Sequence, residues 1–125
     1  MSATNTARLD RIVGAYLECA GWADCGPDED TNGADFAEAM EAEAREDCAA
    51  FLAIVERIEA QEPGLAAAMP DDESIGHDFW LTRNRHGAGF WDRGLGALGC
   101  RLTDEAHRFG ERSVYLGDDG LLYAG

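Results

Sequence analysis

The chain contains no lysine. All ten of its basic residues are arginine, set against 25 acidic residues, and the formal net charge is −15. Phosphate contacts need cations, so a chain this poor in them is excluded from direct nucleic-acid binding through its acidic part. Long apolar runs are missing too. Nothing approaches the ~18 apolar residues of a membrane span, and the start Met1-Ser2-Ala3-Thr4-Asn5 lacks the basic patch and apolar block of a secretory signal. A cytoplasmic protein with no membrane partner is expected. The four cysteines, Cys19, Cys25, Cys48 and Cys100, form no C-x-x-C pair, and Cys19 to Cys25 is too loose for a zinc knuckle. Buried thiols are expected, with no metal and no cofactor.

What is present is acid, glycine and a few concentrated aromatics. Residues 1–75 hold 18 acids and 4 arginines, a net of −14, while residues 76–125 hold 7 acids and 6 arginines, a net of −1. Such asymmetry points to an acidic interaction surface. At 125 residues and 46% hydrophobic content, one domain with one modest core is expected over 1–125. It divides into an acidic helical half, 1–75, and a hairpin-helix-hairpin half, 76–125.

Helical spacing is clear in the first half. Asn5 or Thr6 can cap a helix with a stripe at Leu9, Ile12, Val13, Tyr16, Leu17 and Ala20, ending near Gly21. Residues 23–33 (ADCGPDEDTNG) read as an acidic linker. A longer helix over about 34–61 has the stripe Phe36, Met40, Ala44, Cys48, Phe51, Leu52, Val55 and Ile58. Pro63-Gly64 breaks it, a helical turn follows over 65–69, and Pro70-Asp-Asp-Glu closes the half.

The second half begins with Ile75–Gly94, IGHDFWLTRNRHGAGFWDRG, which reads as a β-hairpin with Asn84-Arg85-His86-Gly87 as its loop. That register sets Leu81 opposite Phe90 and Trp80 opposite Trp91, on opposite faces. Gly94–Gly99 is a glycine-spaced loop. Thr103 caps a short helix over 104–109, and Asp119-Gly120 between apolar runs signals a second hairpin. The expected fold class is α+β: two N-terminal helices packed on a three- or four-stranded antiparallel sheet, in the order α-α-β-β-α-β-β.

Several residues have chemistry to offer. His77-Asp78 suits a general base, or metal ligation with His86. The spacing matches no H-E-x-x-H or H-x-H motif, and polar residues serving a turn account for the same string. His107 reads as a surface or half-buried histidine. Arg83, Arg85, Arg93, Arg101 and Arg108 either recognise an acidic group or pair internally with the acidic helices. Gly94-x-Gly96-x-x-Gly99 has the spacing of a dinucleotide fingerprint but lacks the helix that must open directly after it. The acidic helix face has carboxylates ~5–6 Å apart on neighbouring turns. It can act as a charged decoy for a basic groove, or simply keep a small protein in solution.

The strings HDFWLTRNRHGAGFWDRG, LTDEAHRFGE and VYLGDDGLLY, spanning Gly76 to Tyr123, resemble a family of small uncharacterised proteins of bacteriophages, prophages and related mobile elements. The resemblance does not reach the acidic half. It implies a phage accessory protein, of the kind that acts on host defence by binding. Charge and context together lead to one expectation: a non-enzymatic acidic protein, acting in the host cytoplasm, that occupies a basic nucleic-acid-binding surface of a host defence complex in the anti-CRISPR or antirestriction manner. Its contact residues are expected to be Asp28, Glu29, Asp30, Asp35, Glu38, Glu41, Glu43, Glu46, Asp47, Trp80, Arg83, Arg85, His86 and Trp91, with no catalytic residue. A homodimer is compatible with this. The alternatives are a small enzyme or metal- or ligand-binding domain using His77, Asp78 and His86, and a virion structural or assembly protein.

Overall fold

A computed structural model describes residues 3–25, 35–86 and 88–125. The expected linker acids Asp28, Glu29 and Asp30 lie outside the described residues, as does Gly87 of the expected hairpin loop. Helix α1 (Ala3–Cys25) buries Leu9, Ile12, Val13, Tyr16, Cys19 and Ala20 along one stripe. It does not stop at Gly21. A methyl group there would sit 3.3 Å from the Phe36 ring, so this glycine serves close packing within the helix.

Helix α2 (Glu38–Gln61) buries Met40, Ala44, Cys48, Phe51, Leu52, Val55 and Ile58 at steps of three and four. Each large apolar side chain so buried contributes roughly 1.5–3 kcal/mol. Phe36 belongs to the expected stripe but precedes the helix, where it forms a parallel bridge with Leu122. A single turn, α3 (Pro63–Ala66), follows, with proline where a helix tolerates it.

The largest correction concerns Ile75–Gly94. The expected hairpin is a helix, α4 (Asp72–Arg83), followed by a 3-10 turn over Phe90–Asp92. The signal for its start was the Pro70-Asp-Asp-Glu segment read as a closing loop. The Asp71 carboxylate accepts a hydrogen bond from Ser74 N at 2.8 Å, an N-cap, and Asp72 and Glu73 occupy the first turn. That bond holds the Asp71 carboxyl below the usual range. Helix α4 is buried on almost every side, at Ile75, Gly76 and each residue from Asp78 to Arg83. A helix buried all round shows no single apolar stripe, so its aromatics resemble a two-faced strand. The Trp80–Trp91 and Leu81–Phe90 strand pairings therefore do not exist. Trp80 is fully buried and Trp91 is 55% exposed.

Helix α5 (Ala97–His107) begins within the expected glycine loop and holds Thr103 in its interior, so Thr103 is no cap. The chain ends in the C-terminal hairpin, β1 (Val114–Leu116) and β2 (Leu122–Ala124), in antiparallel register Val114↔Ala124, Tyr115↔Tyr123 and Leu116↔Leu122. Among the described residues the fold is thus five α-helices and a two-stranded sheet, in place of helices packed on three or four strands.

One core unites these elements. Helix α4 lies chiefly against α1 and beside α5, and α2 reaches it through the side chains of Phe51 and Asp47. Phe79 stacks on Phe51 at 4.3 Å between ring centroids, and Trp80 meets Tyr16 edge-on at 5.1 Å. No helix of the described residues is long and apolar enough to cross a membrane.

The α1–α4 contact depends on Gly76, where an added Cβ would fall 2.1 Å from the Ile12 carbonyl oxygen. Gly76→Ala must push the helices apart, and we expect it to lower the unfolding free energy by roughly 1–3 kcal/mol. Urea denaturation reads this directly; an unchanged midpoint would mean that α1 does not seat on α4 at this residue. Thiol chemistry checks the core separately. Cys19 and Cys48 are buried and Cys100 is exposed, and burial pushes the Cys48 thiol up. Of these three, only Cys100 should take up a maleimide in the native state, as read by peptide mass mapping. Because the folded-state value of Cys48 lies above its unfolded one, its contribution to stability is complete below the ordinary thiol range and falls as pH rises through it.

Candidate functional site

Three features compete for a functional role: a buried arginine, a cleft beside α4, and the acidic outer face of α2. Arg83 was expected at the tip of a hairpin, as a contact residue. Instead it ends α4 inside the protein, its side chain 1% exposed. Its Nε donates to Gly110 O at 2.9 Å, Nη1 to Tyr16 Oη at 2.9 Å and Asp47 Oδ2 at 2.8 Å, and Nη2 to Phe109 O at 2.9 Å. The guanidinium also lies over the Phe79 and Phe109 rings, 5.5 and 5.8 Å from their centroids. Burial pushes the Tyr16 hydroxyl up, and the nearby Arg83 charge opposes that. Four partners, on α1, on α2 and on the segment after α5, make Arg83 an internal fastener. It is not available to a partner.

Other residues of the same string are fasteners as well. Thr82 Oγ1 accepts from Phe90 N at 3.1 Å, which fixes the 3-10 turn. Asn84 donates to Trp80 O at 3.0 Å and accepts from Arg112 N at 2.6 Å. Arg85, with φ of 57°, is exposed and stands 3.8 Å from Glu111. His86 is half-buried, and its N–H bonds Leu81 O at 3.0 Å.

A cleft of about 720 Å³ opens between α1 and α4, lined by Asp10, Arg11, Gly14, Ala15, Glu18, Pro70, Glu73, Ser74, His77, Asp78 and Arg93. Asp78 is buried and accepts two bonds from Arg93, Nε to Oδ2 at 3.1 Å and Nη2 to Oδ1 at 2.9 Å. The same pairing raises the Arg93 guanidinium above its usual range. His77 Nδ1 lies 3.4 Å from Asp78 Oδ1, and the ring is 42% exposed. An imidazole oriented by a carboxylate can accept or relay a proton. The structure does not bring His86 to this site. It follows the far end of α4, and along the helix alone His77 and Arg83 are separated by about 9 Å. Among the described residues no trio of His, Cys, Asp or Glu is placed to hold a metal ion. Arg93 joins His77 and Asp78 here, and spacing could not reveal that, because it reaches Asp78 from beyond a turn.

The acidic face of α2 splits in two. Glu43 pairs with Arg112 at 2.6 Å, and Asp47 with Arg83. Asp35, Glu38, Glu41 and Glu46 are exposed and make no ion pair among the described residues. Arg45, in the middle of this face, reaches across to Asp10 on the cleft rim at 2.8 Å. Sequence reading also missed Tyr115 and Leu116, 52% and 38% exposed on β1. Their signal was the short apolar run Val-Tyr-Leu before a turn.

No family model matches the chain, and neither the curated proteins nor the solved structures offer a significant match.

The internal role of Arg83 has a measurable consequence. Arg83→Met strands Asp47, Tyr16 and two carbonyls, and we expect a loss of roughly 3–5 kcal/mol of stability. Arg85→Met, at the exposed neighbour, should leave the urea midpoint unchanged. Equal midpoints for the two variants would remove Arg83 from the core network.

Proposed function

We propose that the protein is a non-enzymatic acidic binding protein of phage or mobile-element origin. It inhibits a host defence nucleoprotein, inside the host cell, by covering a basic nucleic-acid-binding surface. The observation that carries this reading is how the charge is distributed. Nine arginines form ion pairs with the chain's own carboxylates. The net charge of −15 is therefore expressed by carboxylates that have no cation of their own, and Asp35, Glu38, Glu41 and Glu46 gather four of them at the start of one rigid helix.

From Glu38 to Glu46 the helix advances about 12 Å. Acids spaced along such a rod resemble a short run of phosphates to an arginine-lined groove. The field of so acidic a body also speeds encounter with a basic partner and weakens with salt. Glu43, Asp47 and Arg83 no longer belong to the contact set, since they hold the fold together. Trp80 leaves it for the same reason, and exposed Trp91 stays.

A second reading rests on the cleft. The buried Asp78, held by Arg93 beside a half-exposed His77, suits binding of a small polar ligand. Asp78 and Arg93 also tie α4 to the turn after Phe90, which accounts for them without a ligand.

The two readings part in one experiment. Tagged protein and its Glu38→Lys, Glu41→Lys, Glu46→Lys variant are used to capture partners from host lysate at low and at high salt. The expected outcome is a nucleic-acid-binding or nuclease subunit held by the wild type at low salt, released at high salt, and not held by the variant. Far-ultraviolet circular dichroism should match for the two proteins, because these side chains make no internal ion pair. Capture that survives both the substitutions and high salt overturns the reading.

A further inference from the structure

Strand β2 has neighbours on both sides. Leu122 N donates to Asp35 O at 2.8 Å, and Ala37 N donates to Leu122 O at 2.8 Å, so the segment before α2 covers one edge while β1 covers the other. Among the described residues strand β1 is paired by β2 alone, while α1 packs against it. Ser113 and Gly125 exchange N–H···O bonds at 3.0 and 2.9 Å, and Gly117 N donates to Leu121 O at 2.8 Å. An antiparallel ladder alternates residue by residue, so Ser113, Tyr115 and Gly117 turn their backbone groups toward β2. The N–H and C=O groups of Val114 and Leu116 face the other way, and no described residue bonds to them.

Natural proteins blunt such an edge by keeping the strand short, as β1 is at three residues, or with lysine, proline, a bulge or an inward charge. Residues 113–117, Ser-Val-Tyr-Leu-Gly, contain no lysine, no proline and no charge. They carry two of the three large hydrophobic side chains that are exposed among the described residues. Tyr115 stacks on Tyr123 at 5.7 Å, which holds its ring flat on one face of the sheet. Leu116 continues the row of Val114, Leu122 and Ala124 on the other face, whose inner members pack on the core.

The surroundings select the occupant. Beyond Leu116 the chain turns through exposed Asp118 and Asp119, exposed Asp35 lies across the sheet beside Leu122, and α2 continues with Glu38 and Glu41. The Tyr123 hydroxyl and Leu121 N–H hold the Asp119 carboxyl below its usual range, so this end stays anionic. A second copy of a −15 chain would bring like charge to it. A basic segment would bring the complement.

We infer that the free edge of β1 accepts an extended segment of a partner protein as an added strand, one that alternates apolar residues with arginine or lysine. This rests on the reading of the chain as an acidic docking protein and gives that reading a mode of contact. Main-chain bonds at Val114 and Leu116 set the register, Leu116 meets the apolar side chains on its face of the sheet, and the cations, which alternate onto the face of Tyr115, meet that ring and the acids at the turn.

The test uses the full chain and the peptide acetyl-Arg-Val-Arg-Val-Arg-Val-Arg-amide, followed by amide NMR at physiological salt. We expect saturable shifts confined to 113–117 and their neighbours, with amide exchange slowed about tenfold or more at Val114 and Leu116. Leu116→Pro removes one outward N–H and should weaken binding about tenfold or more. Leu116→Lys keeps the backbone donor but adds a cation to the edge, and it should weaken the peptide comparably if the hairpin amide shifts are otherwise retained. A peptide with glutamate in place of arginine should not bind. Shifts along α2 with Val114 and Leu116 unmoved would overturn the edge and leave the acidic docking reading standing. Equal binding of the glutamate peptide would overturn the charge selection. Protection of these amides with rising protein concentration alone would make a second copy the occupant and overturn the inference. If the α2 charge reversal spares partner capture while the peptide still protects Val114 and Leu116, the docking reading fails and the edge survives.

Discussion

A charged guanidinium at the centre of a small protein is tolerable only when each of its nitrogens finds an acceptor. Arg83 meets that condition through Tyr16 on α1, Asp47 on α2 and the carbonyls of Phe109 and Gly110 after α5. Apolar packing is non-directional and would allow the helices to slide. A planar ion with fixed donor directions does not. The position of α4 against α1, and of the segment after α5 against both, follows from this one side chain.

The same logic runs outward. Arg8 bonds Glu59 on α2 and Asp72 on α4, and Arg11 also reaches Asp72, so α1 is tied to both helices near one end. Bonding to Glu59 in particular raises the Arg8 guanidinium above its usual range. Arg93 fixes the turn after Phe90 to Asp78, and Arg112 fixes the approach to the hairpin to Glu43. In a chain without lysine the arginines serve as clamps, several of them through more than one bond. Paired with the chain's own carboxylates, they leave the surface of the first half with a large acidic excess. Structure and proposed function are two consequences of one allocation of charge.

The hairpin shows a different economy. Its inner row completes the core through Leu122, and among the described residues the outward backbone groups of its outer strand have no partner, beside exposed Tyr115 and Leu116. An edge of this kind invites a partner strand. Its acidic rim narrows which strand that can be.

Much of this was readable in the chain. Helices α1 and α2 show one-sided stripes because each has a solvent face, so burial leaves a period of three and four in the letters. The C-terminal turn was legible from Asp119-Gly120, and Gly120 takes the positive φ of 81° that such a turn asks for. Helix α4 was not legible, because burial on all sides erases amphipathic period, and His-Asp-Phe-Trp-Leu-Thr suits a strand as well as a helix by type. The acidic excess and its concentration in the first half were set by composition alone. Which acids are free, and which are held by Arg83, Arg93 or Arg112, depended on residues from 15 to 69 positions away in sequence, brought together only when the helices pack. Local sequence carries local period and net charge; pairing across the core is a property of the tertiary structure.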